Sequence, residues 1–193
     1  LEFRRVLFRS SLMISVFTPS HDSRWLTDAY ISLKEQTYAD WEWIIVWNGD
    51  VAELDFNDER VRYFHAPAGM GVGYYKWLAC DKAQGDILFE LDHDDKLVPF
   101  ALRAIANVFN DNEDVGMVYG DTMQMLEDGS PDTSQWDPAH GWIYGELPDG
   151  YKYAKSFAPH PHNFGYIWYA PNHPRAFRKS VYERARSEEH TSE

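Results

Sequence analysis

Three carboxylates within four residues, Asp92, Asp94 and Asp95, close the stretch Gly85-Asp86-Ile87-Leu88-Phe89-Glu90-Leu91-Asp92-His93-Asp94-Asp95. Like charges this close repel, and each makes its neighbours harder to ionise. A bound divalent cation relieves that repulsion. An all-oxygen donor set suits Mg2+ or Mn2+, which commonly bridge carboxylates to a phosphate. The plainer reading is a solvated acidic turn ahead of the next helix. The apolar run Ile87, Leu88, Phe89 and Leu91 predicts a buried strand from which the acids emerge together. That is the edge at which open α/β sheets bind ligands.

Other residues invite chemistry less strongly. Gly69, Gly71 and Gly73 are spaced G-x-G-x-G rather than the G-x-G-x-x-G of a dinucleotide site, and no Walker A motif is present. A loop near a ligand, or a simple connection, fits them better. Lys76, on a predicted helix, reads either as a surface lysine or as a ligand contact. His160, His162 and His173 lie in a Pro- and aromatic-rich region and read as ordinary loop histidines. His93, between the acids, would point away from them on a strand. Trp136, Trp142, Tyr144, Tyr151, Tyr153, Trp168 and Tyr169 could stack on sugar, since aromatic rings pair an apolar face with polar handles. Most of them are expected to form the core of a smaller half.

The elements that must position these groups alternate. Strands are predicted at Leu12–Thr18 (closed by Pro19), Trp43–Trp47, Val61–His65, Ile87–Leu91, Val115–Tyr119 and Thr122–Leu126. A helix capped by Ser20 or Asp22 follows the first strand, with Leu26, Ala29, Tyr30 and Leu33 as its apolar stripe. Further helices are predicted over Tyr74–Gln84 and from Pro99 to Asn110. Asn48-Gly49 and Asp128-Gly129 mark turns. Strands alternating with helices predict a layered α/β fold with a mainly parallel sheet. Residues 130–175 show little periodicity and read as a long functional loop region.

The chain ends are expected to be foreign. Arg186–Glu193 can be encoded by AGA TCG GAA GAG CAC ACG TCT GAA, and the opposite strand of that DNA encodes Phe3–Ser10. Residues 1–10 and 186–193 therefore read as adapter-like tails around a gene fragment. The fragment divides into an α/β part, 11–129, and an incomplete acceptor-side part, 130–185. Glu2, Arg4, Arg5 and Arg9 give the first tail +2, while Arg186, Glu188, Glu189 and Glu193 give the second −2, so the interior keeps the net charge of −13. Such acidity argues against binding a nucleic-acid backbone. The single cysteine, Cys80, excludes a disulfide framework and fits a reducing compartment. No apolar run is long enough to span a membrane.

The order of the motifs then resembles the opening of family-2 glycosyltransferases. Thr18-Pro19-Ser20, Ser32-Leu33-Lys34-Glu35-Gln36-Thr37-Tyr38, Trp41-Glu42-Trp43-Ile44-Ile45-Val46-Trp47-Asn48-Gly49 and Ala83-Gln84-Gly85-Asp86-Ile87 lead into Leu91-Asp92-His93-Asp94-Asp95. The likeness resumes at Phe177-Arg178-Lys179. It implies a GT-A-like fold, a nucleotide-binding sheet joined to an acceptor half. It also implies transfer of a sugar from a nucleotide-sugar, UDP-sugar first, to a carbohydrate or glycan acceptor with inversion, as in polysaccharide biosynthesis. Carried over by position, Thr18, Pro19, Ser20, Asn48, Lys76 and Asp92 bind the donor. Asp92, Asp94 and Asp95 hold Mg2+ or Mn2+, with Asp94 the direct ligand. Asn48 departs from the family's usual Asp, and Lys76 from its usual Arg. The family's base is expected beyond residue 185. The resemblance implies a cytoplasmic location, with peripheral membrane association open. A catalytically inactive donor-binding fragment is the alternative. A sugar-phosphate nucleotidyltransferase ranks lower, because Thr18-Pro19-Ser20-His21-Asp22 lacks a glycine-rich, basic triphosphate loop.

Overall fold

The structure is a computed structural model that describes residues 11–48, 54–132, 134, 141–166 and 171–191, with side chains through 187. Of the ends expected to be foreign, residues 1–10 and 192–193 lie outside it. So do Gly49, Trp136, Trp168 and Tyr169.

Six strands make one sheet in the order β3-β2-β1-β4-β9-β5. β1 (Ile14–Ser20), β2 (Trp41–Asn48), β3 (Val61–Ala66) and β4 (Ile87–Glu90) run parallel. β9 (Arg175–Arg178) runs antiparallel between β4 and β5 (Met117–Tyr119). The sheet is therefore mainly parallel and the fold α/β, as the alternation of elements predicts. β9 was not foreseen as a strand, because Arg-Ala-Phe-Arg is half charged and only four residues long.

Pleating sends alternate side chains to opposite faces. Ile14, Val16, Trp43, Ile45, Trp47, Ile87 and Phe89 face α1 (Leu26–Lys34) and α3 (Ala101–Asp111), which bury Leu26, Ala29, Leu33, Leu102, Ile105, Ala106 and Phe109 against them. Phe17, Ile44, Val46 and Leu88 face α2 (Val72–Lys82), through Tyr75, Ala79 and Cys80, with Tyr182 of α5 (Lys179–Thr191) packed alongside. Covered on both faces, β2 is buried over seven of its eight residues, as central parallel strands are. Each large side chain so buried contributes about 2–3 kcal/mol.

Several boundaries differ from expectation. β1 runs through Pro19 to Ser20, because Pro19 only shares a parallel rung with Val46. Neither Ser20 nor Asp22 caps α1; Asp22 instead accepts the backbone N–H of Arg24 at 2.9 Å, and the helix starts after that turn. α2 begins at Val72, so Gly73 sits inside its first turn. α3 starts at Ala101, two residues after Pro99. α5 passes through Arg186, where a foreign tail was expected to begin, as its run of Arg, Ala and Glu favours helix whatever its origin.

The described residues between 130 and 175 hold regular elements that their weak periodicity did not predict. β7 (Tyr144–Glu146) and β8 (Lys152–Ala154) join β6 (Thr122–Met123) in a three-stranded antiparallel sheet, order β6-β8-β7, followed by α4 (Pro161–Tyr166). Strands of two or three residues are too short for period-two alternation to show. Tyr153 lies over Gly145, where a Cβ would meet the ring at 2.2 Å. The Asp128-Gly129 turn forms as expected, with Gly129 at φ +81 and Asp128 accepting from Ser130.

The amino-terminal edge of the sheet is closed by a buried carboxylate. Glu42 accepts from the Ser15 hydroxyl at 2.6 Å, the Gln84 N–H at 2.6 Å and Arg62 at 2.7 Å. Gly85 donates its N–H to Ser15 Oγ at 2.8 Å. A Cβ on Gly85 would lie 2.6 Å from the Met13 carbonyl, so only glycine admits this approach.

Candidate functional site

The parallel strands deliver their carboxyl ends to the opposite edge. Thr18 is buried there, donating its hydroxyl to the Leu91 carbonyl at 2.6 Å and accepting the Trp43 indole N–H at 2.8 Å. It latches the end of β1 to the end of β4. Ser20, also buried, donates its hydroxyl to the Asp22 carbonyl at 2.6 Å and so shapes the first turn after the strand. Pro19 and Asn48 are half-buried at the ends of β1 and β2. These four residues share one edge with the acids because the rungs Ser20–Trp47 and Phe17–Glu90 place them there.

The acid cluster is built around Glu90, a residue not singled out in the sequence. Glu90 is the last residue of β4 and is 6% exposed. Lys76 reaches it from α2, pairing with Glu90 Oε1 and lying 3.6 Å from Asp92 Oδ1. Arg175, opposite Glu90 across the β4–β9 ladder, places NH2 3.1 Å from Glu90 Oε1 and Nε 3.0 Å from Oε2. His173 sits between the acids, with Nε2 3.4 Å from Glu90 Oε1, and Nδ1 3.4 Å from Asp92 Oδ2 and 3.5 Å from Asp95 Oδ2.

His173 therefore corrects the reading of it as an ordinary loop histidine. The available signal was its position: two residues before the Arg-Ala-Phe-Arg segment, which becomes β9 and runs antiparallel to β4, so its start lies beside the end of β4. His160 and His162 are exposed at the start of α4, away from the cluster. His93 packs edge-on against His21, ring centroids 4.8 Å apart, and belongs to the turn rather than to the acid set. Lys76, Asp92 and Asp95 are brought together. Asp94 is exposed on the same turn and stands outside the close set. The Asp95 N–H donates to the Asp92 carbonyl at 3.1 Å, which closes that turn.

The electrostatics follow from crowding. Burial opposes the charge on Glu90, but hydrogen bonds from His173 and Lys76 and the Arg175 charge outweigh it and hold the carboxyl down at about 2. Burial raises Asp92, with Glu90 and Asp95 adding to the rise and His173 and Lys76 resisting it. Burial works against a charged His173, yet Asp95, Glu90 and Asp92 raise it to about 9. Without a bound cation the acids thus favour the protonated ring, and a cation taken up there would displace that proton.

The donor set meets the requirement for a divalent cation. Ligand atoms of Glu90, Asp92 and His173 all lie within 4.8 Å of one another. Two carboxylates and an imidazole nitrogen converge from different elements. Two cavities lie elsewhere. One of about 290 Å³ is lined by Val108, Met117, Tyr119 and Phe157, and one of about 420 Å³ by Gln84, Asp86, Lys179 and Glu183. Neither contains the acid cluster, whose assignment rests on side-chain convergence rather than on concavity. Of the candidate aromatics, Trp142 is buried against Phe157 with ring centroids 5.0 Å apart, while Tyr144, Tyr151 and Tyr153 are half-buried in the small sheet.

Comparison with known proteins agrees with this fold. The sequence profile described as glycosyl transferase family 2 matches residues 15–183. The O-antigen biosynthesis protein RfbC of Myxococcus xanthus is 28% identical over 119 residues, covering 56% of this chain and 9% of that protein. The crystal structure of S. aureus TarS residues 1–349 superposes with a TM-score of 0.60 at 14% identity, covering 90% of this chain and 49% of that one. The same TarS fragment in complex with UDP-GlcNAc gives a TM-score of 0.56 at 13% identity, covering 90% and 47%. The chain therefore spans about half of the TarS fragment and a far smaller share of RfbC. The shared fold is that of GT-A glycosyltransferases. Among the described residues, no helix is long and apolar enough to cross a membrane.

Proposed function

This chain belongs to glycosyl transferase family 2, and from that premise we propose that it binds a nucleotide-sugar at the carboxyl edge of its sheet for transfer to a carbohydrate acceptor. The observation that carries the reading is the convergence of Asp92, Asp95 and His173, with His173 Nδ1 3.4 and 3.5 Å from the two carboxylates. Asp92, Asp94 and Asp95, with His173, are the residues we assign to a divalent cation. When bound, such a cation supplies positive charge to a diphosphate leaving group. The imidazole in the set favours Mn2+ over Mg2+, which prefers oxygen ligands and keeps its waters.

This chain's own residues do the remaining work. Lys76 and Arg175 bring fixed positive charge to the edge where leaving-group charge would develop, a preorganised stabilisation that needs no rearrangement during reaction. Thr18, Pro19 and Ser20 form a rigid floor at the end of β1, tied to β4 through Leu91. Asn48 offers an amide donor and acceptor to a base edge. We propose a UDP-sugar as the donor; TarS, which shares the fold, holds UDP-GlcNAc. Inversion at the anomeric carbon needs one base to take the acceptor hydroxyl proton, and we assign that role to no residue up to 185.

Thermal shift with UDP, GDP and their sugars, each with and without Mn2+, tests the reading. A ligand at about 100 Kd adds about 2.7 kcal/mol, a rise of about 5–10 °C for a chain of this size. Such a rise is expected for a uridine nucleotide with Mn2+ and should be lost in Asp94→Ala. No shift with any nucleotide would overturn it.

A further inference from the structure

We propose that Glu90 is a positioning residue, a buried counter-charge that aims three cationic side chains at the donor edge. The inference rests on the nucleotide-sugar reading above and goes one layer below it.

Glu90 Oε1 is crowded by three cationic groups, and Oε2 has one beside it. Oε1 meets Lys76 Nζ, Arg175 NH2 and His173 Nε2, and Oε2 faces Arg175 Nε at 3.0 Å. Three positive groups around one carboxylate leave a divalent cation nowhere favourable to approach it. Glu90 lies close enough to Asp92 and His173 to be grouped with them as a ligand, yet its partners exclude it from that role. Its contribution is to orientation. His173 Nε2 lies 3.4 Å from Glu90 Oε1 and against Arg175 NH2, which Glu90 itself holds; this turns Nδ1 toward Asp92 and Asp95, as a partner behind a histidine fixes which ring nitrogen meets a metal. The same carboxylate gathers Lys76 from α2 and Arg175 from β9. Neither helix nor strand alone would place both beside Asp92. Burial supports this assignment: at 6% exposure in a central strand, a lone carboxylate is costly unless its partners are fixed.

The test is Mn2+ binding to the whole chain, read by isothermal titration and by electron spin-echo modulation from a directly bound nitrogen. Wild type is expected to bind Mn2+ and to show the nitrogen signal. In Glu90→Gln the affinity should fall about 10–100-fold, the usual cost of losing such a partner, and the nitrogen signal should weaken or vanish. Metal-free UDP gives a second readout with opposite signs. Counting charge alone, removal of Glu90's negative charge should tighten UDP binding; loss of aim for Lys76 and Arg175 should weaken it several-fold, and weakening is the expected result. If Glu90→Gln does not fold, the double variant Lys76→Met/Glu90→Gln removes one charge of each sign, and the nitrogen signal should still be lost. Retention of that signal with Mn2+ affinity within about twofold of wild type, or tighter UDP binding, would overturn the positioning role. Wild type binding Mn2+ without a nitrogen signal would overturn this inference alone. Wild type that binds no Mn2+ would overturn the nucleotide-sugar reading and this inference with it.

Discussion

The two ends of this sheet each bury a glutamate, Glu42 at 3% exposure and Glu90 at 6%. Glu42 has one arginine and two neutral donors, Ser15 and the Gln84 N–H, and no second acid stands beside it. Its three hydrogen bonds fasten β2 to β1, to β3 and to the turn that leads into β4. Glu90 has three cationic partners, and Asp92 and Asp95 compete with it for one of them, His173. Pairs that only hold a fold together need no surplus of like charge. The surplus at the carboxyl edge supports the ligand site proposed there, since perturbed ionisable groups gather at functional sites.

The difference can be broken by substitution. Glu42→Ala is expected to cost about 3 kcal/mol in urea unfolding, because it strands Arg62 and two backbone-proximal donors, while Mn2+ binding by the folded fraction stays unchanged. Gly85→Ala should follow at about 2 kcal/mol, since a Cβ meets backbone that has little room to give. Asp92→Asn should do the reverse. Burial already disfavours the charged form of Asp92, so removing the charge should leave the melting temperature equal or slightly higher. A loss like that of Glu42→Ala would erase the contrast between the ends.

The pH dependence sharpens it further. Both glutamates are held below their ordinary value of 4.5, so both contribute stability that is present above about that pH and lost as pH falls, Glu90's through about 2. His173 gives the carboxyl edge a limb that falls near neutral pH. His173 is raised from 6.5 to about 9, so its contribution is complete below about 6.5 and lost as pH rises through about 9. Metal-free protein should thus lose stability between those values in thermal melts, and His173→Gln should flatten that decline. An unchanged decline in the variant would place the alkaline limb elsewhere.

Much of this was legible in the residues. Ile87–Leu91 ending in acids predicted the strand and the acid cluster at its end, and alternating elements predicted the mainly parallel sheet. Lys76 and Asp92 were singled out and lie together. His173 and Glu90 were not seen, for different reasons. His173 gains meaning only once β9 folds back antiparallel against β4, a long-range pairing that local pattern does not carry. Glu90 reads as the polar interruption of an apolar strand until its three partners, drawn from α2 and from around β9, are placed around it. Of the small sheet, β6 was predicted, though over Thr122–Leu126 rather than the shorter Thr122–Met123; β7 and β8 escaped because they are shorter than the period that would reveal them.

We propose that the acid turn holds a divalent cation against a diphosphate. The most direct test is the UDP dissociation constant of the wild-type chain with Mn2+ and with chelator. Binding at least about tenfold tighter with Mn2+, a coupling of about 1.4 kcal/mol, is the expected result, with the difference lost in Asp92→Asn. Equal affinity in the two conditions would contradict it.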